Sequence, residues 1–167
     1  MKSNGWTTLR RNVNTAEARY GESNLFLRIF INRSMSDCIF CDIVNNKTPS
    51  WIIHQDNEVI CFLTKTLSSY AHTVIATKQH VLDIYSVPEA VLLKIVVVSK
   101  KLAIHYRSKI DASGVNILHA SGIPAQQSVL HFHIHLIPRF NNDGLNAWPD
   151  FPVQSFDKDE IVAKLRY

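Results

Sequence analysis

Apolar and polar positions along the chain form several short strand-like runs and one long helical pattern. Runs of four to eight residues that are rich in β-branched and aromatic side chains, and that are bounded by polar turns, are typical of strands. They predict five strands, over residues 51–54, 59–63, 73–76, 115–119 and 129–137. The polar residues 55–58 between the first two runs predict a hairpin there.

The long helical pattern follows a candidate helix start. Ser86 is followed three residues later by Glu89, which is the spacing of a capping box with Ser86 as the N-cap. Behind it, apolar residues recur at helical spacing as far as about Lys109. The pattern therefore predicts one long helix that starts behind Ser86.

Two shorter helices complete the predicted set. One is expected over residues 38–44, and the other over residues 159–165, behind a second capping-box candidate at 157–160. Five strands joined mostly by hairpins, with one long and one or two short helices, indicate an α+β fold built on a five-stranded antiparallel sheet.

Length and composition fit a single folded unit with two appended segments. A chain of 167 residues, 46% of them hydrophobic, suits one domain with one core. Residues 35–148 contain the predicted sheet and are expected to form the folded domain. Residues 149–167 are predicted to form a C-terminal tail with a short helix, and residues 1–34 a flexible or targeting extension.

The extension leaves the expected location open. Five arginines and one lysine face two glutamates in residues 1–34, and such a composition fits a mitochondrial presequence. A disordered extension, or an upstream choice of start codon ahead of Met35, fits it as well. The expected location is cytoplasmic, or mitochondrial if residues 1–34 are a presequence.

Charge and hydropathy narrow the classes of partner. The 18 basic and 14 acidic residues give a net charge of +4, which favours an anionic substrate. The sequence has no dense tract of lysine and arginine interleaved with aromatic residues, so nucleic acid is not an expected partner. It also has no apolar run of about 18 residues, so no membrane partner is expected.

The most informative chemistry lies in the last predicted strand, where His131, His133 and His135 alternate with apolar residues. In a strand, such alternation places all three imidazoles on one face, roughly 6.6 Å apart along the chain. Two imidazoles at that spacing can flank a small anionic group. A row of imidazoles is costly to bury without partners, so the pattern indicates a function.

Three interpretations of the histidine row compete. It is a solvated polar face, a set of metal ligands, or a site of nucleophilic phosphate chemistry. The neighbouring residues favour the third interpretation, because Gln127 and Ser128 supply an amide and a hydroxyl before the row, and Arg139 supplies a cation after it.

At these residues the chain resembles the histidine triad (HIT) family of nucleotide hydrolases and transferases. The family signature, three alternating histidines followed by two apolar residues, is met from His131 to Ile137. The Gln-Ser-Val segment before the signature and the Ile-Pro-Arg segment after it also resemble the family. The resemblance covers about residues 38–148. It implies a HIT-like fold, a homodimer whose sheets join, and the zinc-containing Hint-like branch.

The resemblance implies roles for the residues of the site. His133 would be the nucleophile, which agrees with its place between two other imidazoles. An imidazole with an unperturbed pKa near 6.5 is largely neutral at pH 7, as a nucleophile must be. His135 and Ser128 would hold phosphate oxygens, Gln127 would help to orient the group, and His72 would be a further active-site histidine. A nucleotidyl-histidine intermediate would then be resolved by water.

The implied substrate is a purine nucleotide, either a nucleoside phosphoramidate or a dinucleoside polyphosphate, cleaved at the α-phosphate with no organic cofactor. The sequence departs from the family pattern at Thr64, where an Asp usually binds the ribose, and at Ala120, which replaces an Asn. Asn116 and His119 are candidates to replace these contacts. The departures keep one alternative open, a catalytically weakened nucleotide-binding regulatory protein. A metal-dependent hydrolase that uses the three histidines as ligands is a second alternative.

The cysteines indicate a metal site. Cys38, Cys41 and Cys61 do not form an even set for disulfides, and a Cys-x-x-Cys pair is more often a metal or redox site. The resemblance implies that His80 and His131 complete Cys38 and Cys41 to a tetrahedral structural zinc site. Two reduced core cysteines are the alternative. Cys61 lies in an apolar strand and is predicted to be a core residue.

Overall fold

The computed structural model describes residues 37–67, 69–148 and 151–167. Residues 1–34 lie outside the described residues, so the flexible or targeting role of this extension, and with it the location of the protein, stay predictions. The same holds for the start-codon alternative at Met35.

Within the residues that the structure describes, three helices and five strands form in the order that the sequence pattern predicts. They are α1 (Ile39–Val44), β1 (Ile52–Gln55), β2 (Val59–Leu63), β3 (Thr73–Thr77), α2 (Glu89–Lys109), β4 (Gly114–Leu118), β5 (His133–Arg139) and α3 (Lys158–Leu165). A short 3₁₀ turn, Ile123–Ala125, lies between β4 and β5 and was not predicted. The strands form one sheet in the order β1-β2-β3-β5-β4, and every neighbouring pair is antiparallel.

A hydrogen-bonded turn joins β1 to β2. The Asp56 carboxylate accepts hydrogen bonds from the backbone N–H groups of Glu58 and Val59, at 2.9 and 3.0 Å, which is the local pattern that favours aspartate in turns. The same carboxylate lies 3.1 Å from the Lys94 ammonium of α2. The turn is thereby tied to the helix that covers the sheet.

The sheet separates two hydrophobic clusters. On one face α2 packs through Ile95 and Leu102 against strand residues that include Cys61, Ile75 and Leu136. Cys61 is fully buried there, which confirms its prediction as a core residue. On the opposite face α1 packs against a second cluster, whose members are Cys38, Phe40, Ile43, Ile60, Phe62, Val74 and Ala76. The alternation of side chains along each strand produces this division.

The start of α2 differs from its prediction. Ser86 was predicted as the N-cap, and this was wrong, because the N-cap position is occupied by Pro88 and the helix begins at Glu89. The Ser86 hydroxyl instead donates to the Asp83 carboxylate at 2.8 Å, within a turn that precedes the helix. Pro88 has no N–H and a fixed φ, and it suits a helix entry without a side-chain cap.

The last strand begins later than its pattern predicts. A strand was expected over residues 129–137, but β5 starts only at His133. The backbone N–H of His131 donates to the Val129 carbonyl at 2.8 Å, which closes a tight turn in place of an extended ladder. The Phe132 N–H donates to the carbonyl of Val81 at 2.5 Å. His131 therefore lies ahead of the strand that carries the other two histidines.

The C-terminal tail forms its predicted helix. Asp157 caps α3 by accepting hydrogen bonds from the N–H groups of Asp159 and Glu160. Residues 151–167 are all exposed. Within the described part of the chain, no helix is both long enough and apolar enough to cross a membrane.

Candidate functional site

The site lies on the sheet face that is covered by α1. Cross-strand pairing sets Ala76 beside His133 and Val74 beside His135, so both imidazoles share the face of the second hydrophobic cluster. The Phe40 ring of α1 packs edge-on against His133, with ring centroids 5.0 Å apart. The aromatic residue between the two cysteines therefore forms one wall of the histidine site, a role that sequence reasoning missed.

His133 is held as a neutral imidazole with one nitrogen available. Its side chain is buried, and its Nδ1 lies 2.6 Å from the backbone oxygen of His131. A carbonyl oxygen only accepts, so Nδ1 carries the proton and Nε2 keeps its lone pair. Burial lowers the pKa of His133, so the ring is neutral near pH 7. A buried, neutral and oriented imidazole has the properties of a nucleophile.

His135 forms a pair with His72, which lies directly before β3, the strand next to β5. The His72 Nε2 lies 2.9 Å from the His135 Nδ1, and the two ring centroids are 5.0 Å apart. Burial, followed by the charges of His133 and His72, lowers the pKa of His135 to about 4. Burial also lowers the pKa of His72. Two neutral imidazoles can share one hydrogen bond in this way, whereas two cations would repel each other.

The loop ahead of the histidines presents Ser128 and secures Gln127. The Gln127 amide donates to the carbonyls of Leu82 and Val129, at 2.7 and 3.1 Å. Its carbonyl accepts from the N–H of Gly122 at 2.8 Å. Gln127 is therefore buried and holds the loop in place, while Ser128 is exposed. The Gln127 amide therefore anchors the loop, whereas Ser128 is exposed and can contact a ligand.

Asn116 and Arg139 form a separate cluster farther along the same sheet face. Asn116 pairs with Ile137, two residues beyond His135, and its side-chain oxygen accepts from the Arg139 guanidinium at 2.7 Å. Arg139 also donates to both carboxylate oxygens of Asp143, each at 2.7 Å. The charge of Arg139 is thereby neutralised within the chain, and the guanidinium anchors the segment after β5.

Thr64 directly follows β2 and lies next to the His72 segment. Its N–H donates to the carbonyl of His72 at 3.1 Å, and its hydroxyl donates to the carbonyl of Thr66 at 3.0 Å. The single hydroxyl proton is therefore used within the loop, and only the oxygen lone pairs can accept a further hydrogen bond.

Cys38, Cys41, His80 and His131 form the cluster that the sequence predicts as a metal site. Their ligand atoms all lie within 4.8 Å of one another. The His131 Nδ1 is 3.3 and 3.6 Å from the two sulfurs, and the His80 Nδ1 is 3.2 Å from the Cys41 sulfur. Ligands at the usual zinc bond lengths stand about 3.6 Å apart on a tetrahedron, so the donor set fits one metal ion.

The surroundings of the cluster also suit a metal. The His131 Nε2 donates to the carbonyl of Thr77 at 2.7 Å, which leaves Nδ1 unprotonated and directed at the sulfurs. Burial, followed by the hydrogen bond and charge of Cys38, raises the pKa of the Cys41 thiol to about 11. A thiolate at Cys41 therefore requires a nearby cation, as a bound metal would provide.

His119 and Ser121 occupy positions in the site that sequence reasoning did not assign to them. The His119 Nδ1 lies 2.7 Å from the backbone oxygen of His133, and its Nε2 lies 2.7 Å from the hydroxyl oxygen of Ser121. The only signal in the sequence is a histidine at the end of the strand predicted over residues 115–119. That signal cannot show which carbonyl the side chain reaches.

Comparisons with known proteins agree with this arrangement. The HIT domain family matches residues 45–142. An uncharacterised HIT-like protein of Borreliella burgdorferi is 36% identical over 113 residues, which cover 66% of this chain and 81% of that protein. An adenylylsulfatase of Arabidopsis thaliana is 28% identical over 133 residues, which cover 78% of this chain and 66% of that protein.

A solved structure is also similar. The crystal structure of a zinc-bound histidine triad family protein from Mycobacterium smegmatis matches with a TM-score of 0.64 and 30% identity, over 69% of this chain and 84% of that one. The five-stranded antiparallel sheet with its long helix is therefore the HIT-like fold that the sequence predicts.

The depressed pKa of His135 predicts an acid-dependent loss of stability. Because this pKa is about 4 in the folded chain and about 6.5 in an unfolded one, the unfolded chain binds more protons between these values. The free energy of unfolding should therefore decrease as the pH is lowered from about 7 to about 4. Urea unfolding at a series of pH values, with chelator present so that metal release does not contribute, measures this dependence.

Two variants isolate the contribution of His135. His135→Gln should make the dependence on pH less steep, because it removes one of the buried rings whose pKa is lowered. His105→Gln, at an exposed position on α2, should leave it unchanged. An equally steep dependence in His135→Gln and in the unmodified chain would contradict the prediction.

Proposed function

Because the chain belongs to the histidine triad (HIT) family, we propose that it is a nucleotide hydrolase or transferase that cleaves at the α-phosphate of its substrate. The observation that carries the proposal is the hydrogen bond of 2.6 Å between the His133 Nδ1 and the His131 oxygen. It leaves the His133 Nε2 as an oriented nucleophile within a row of neutral imidazoles. The proposed substrate class is purine nucleoside phosphoramidates or dinucleoside polyphosphates.

The proposed reaction has two steps. In the first, the lone pair of the His133 Nε2 attacks the α-phosphorus, and a nitrogen–phosphorus bond forms. The bond from phosphorus to the amine or phosphate breaks, and the leaving group departs with the bonding electrons and takes a proton from solvent, which the water of the second step returns. In the second step, water attacks the same phosphorus, the nitrogen–phosphorus bond breaks, and nucleotide and free His133 are released. His135 and Ser128 contact the phosphate oxygens in both steps.

The leaving group defines the range of substrates to be compared. The similar Arabidopsis thaliana protein is named an adenylylsulfatase. Its named substrate class also carries an α-phosphate next to a nucleoside, but with sulfate as the leaving group. Adenosine phosphoramidate, a dinucleoside polyphosphate and adenylyl sulfate would therefore all react through the same attack of His133, and they differ only in the group expelled.

Hydrolysis of adenosine phosphoramidate tests the proposed nucleophile. His133→Asn should reduce turnover by about 10³-fold or more, because the two-step route requires this nitrogen. His105→Asn, at an exposed position, should retain the rate of the unmodified chain. Calorimetric binding of AMP to His133→Asn distinguishes a lost reaction from a lost site.

Two other outcomes would favour the alternatives. Nucleotide binding without turnover in the unmodified chain would favour a regulatory nucleotide-binding protein. The single hydroxyl of Thr64, which already donates to the Thr66 carbonyl, is the observation behind that alternative. Loss of all activity with chelator, while the fold is retained, would instead favour a metal-dependent hydrolase.

We also propose that the cluster of Cys38, Cys41, His80 and His131 holds a structural zinc ion. The donor set of two sulfurs and two imidazoles, within 4.8 Å of one another, supports zinc, and so does the similarity to a zinc-bound protein. The ion would join α1 to the segment after β3 and to the turn before β5. Its contribution would be to the stability of the fold.

The zinc proposal predicts a coupled loss of metal and stability. Cys38→Ser should remove bound zinc, measured by elemental analysis, and should lower the melting temperature by more than about 5 °C, because the cross-link between three segments is lost. Cys61→Ala, which changes a core cysteine outside the cluster, should retain the zinc. Unchanged metal content in Cys38→Ser would contradict the proposal.

We further propose that the chain forms a homodimer through the β4 edge of the sheet. β4 is an end strand, and it exposes Val115 and Ile117. A cavity of about 260 Å³ lies between β4 and α2, and Ile104 of α2 lines it. Exposed sheet edges next to apolar surface favour pairing with another chain, and two copies can pair edge to edge symmetrically.

Sedimentation equilibrium tests the dimer. Ile117→Glu should shift the mass from two chains to one, because a buried charge would oppose edge pairing. Ile123→Glu, at an exposed residue of the 3₁₀ turn, is the matched control and should leave the mass unchanged. A dimer that persists in Ile117→Glu would place the interface elsewhere.

A further inference from the structure

The backbone carbonyl of His133 has no strand partner on the β4 side of the sheet. The N–H of Thr77 in β3 donates to the carbonyl of Phe132 at 3.3 Å. Carbonyls of successive strand residues point to opposite sides, so the carbonyl of His133 points away from β3, toward β4. β4, however, ends at Leu118, whose partner is His135. The strand backbone therefore stops two residue pairs short of His133, where a ladder hydrogen bond is due.

The side chain of His119 fills this gap. Its Nδ1 lies 2.7 Å from the His133 oxygen, and a carbonyl only accepts, so Nδ1 carries the proton. The Nε2 is then an acceptor, and it takes the hydrogen of the Ser121 hydroxyl at 2.7 Å. The Ser121 oxygen in turn accepts from the N–H of Ile84 at 2.9 Å. Each donor in this chain has a matching acceptor.

Packing also restricts the His119 ring. Its centroid lies 4.7 Å from that of Phe132, which is fully buried, with an angle of 45° between the ring planes. The ring therefore rests on a rigid core residue while its two nitrogens reach the strand and the loop. Rotation of the ring would break both hydrogen bonds.

We propose that His119 is a positioning residue for the nucleophile His133, an inference that rests on the function proposed above. The nucleophile is held at two points. Its own Nδ1 donates to the His131 carbonyl, and its own carbonyl accepts from His119. His119 also binds Ser121, at the start of the loop that leads to Ser128. It thereby holds the attacking nitrogen in register with the hydroxyl that would contact the phosphate.

Kinetics of the 167-residue chain with adenosine phosphoramidate test this role. His119→Ala should lower kcat about tenfold and leave KM within about twofold, because misplacement of the attacking atom affects the reaction more than binding. His119→Asn should restore most of kcat, since its amide can donate to the His133 carbonyl. Ser121→Ala should give a smaller loss than His119→Ala, and His105→Ala should give none.

A second measurement does not depend on turnover. Ring ¹⁵N NMR of His133 reports the Nδ1–H form and the exchange rate of its proton with solvent. In His119→Ala the exchange should be several-fold faster, and in His119→Asn it should approach that of the unmodified chain. If the unmodified chain does not hydrolyse the substrate, the proposed function fails, while the NMR comparison still decides the role of His119.

The two measurements together define what overturns the inference. An unchanged kcat in His119→Ala, or a loss no larger than the fraction of unfolded protein, would overturn it. Failure of His119→Asn to restore kcat, with His133 exchange unchanged among the variants, would do the same. If His119→Ala does not fold, the comparison between His119→Asn and Ser121→Ala carries the test, and equal loss of kcat in these two variants would contradict the inference.

Discussion

The turn at His131 is the constraint on which the arrangement of the site depends. Its ring Nε2 donates to the Thr77 carbonyl, its Nδ1 faces the sulfurs of the cysteine pair, and its own carbonyl accepts from His133. One residue thereby connects the sheet, the cluster of Cys38, Cys41 and His80, and the His133 ring. Because each polar group of His131 has a separate partner, the residue can be fully buried at the start of β5 without an unpaired group.

Burial of several imidazoles on one sheet face has an electrostatic consequence that suits phosphate chemistry. Desolvation is the largest cause of the lowered pKa of His133 and of His135, and neighbouring rings lower both further. The site therefore presents neutral nitrogens with free lone pairs near pH 7, rather than cations. Arg139 does not change this balance, because Asp143 neutralises its charge within the chain.

The chain departs from the family pattern in the segments around the histidine row. Ala120 stands where an Asn is usual, and the neighbouring His119 reaches the backbone of His133 instead. Thr64 stands where a carboxylate is usual, and its hydroxyl proton is used by its own loop. The departures leave the row of histidines intact, and they lie in the segments around it.

Local patterns in the sequence determined the strands, the long helix and the identity of the histidine row, because side-chain alternation and helical spacing depend only on near neighbours. They could not determine where β5 begins. The N–H of His131 donates to the carbonyl of Val129 and not to a neighbouring strand, and the local pattern does not show which acceptor it takes. Only the tertiary structure decided that Gln127 anchors the loop through the Leu82 carbonyl, and that His119 reaches the carbonyl of His133. These contacts join residues whose separation is set by strand register and chain reversal, and the directional geometry of each hydrogen bond exists only once the sheet has formed.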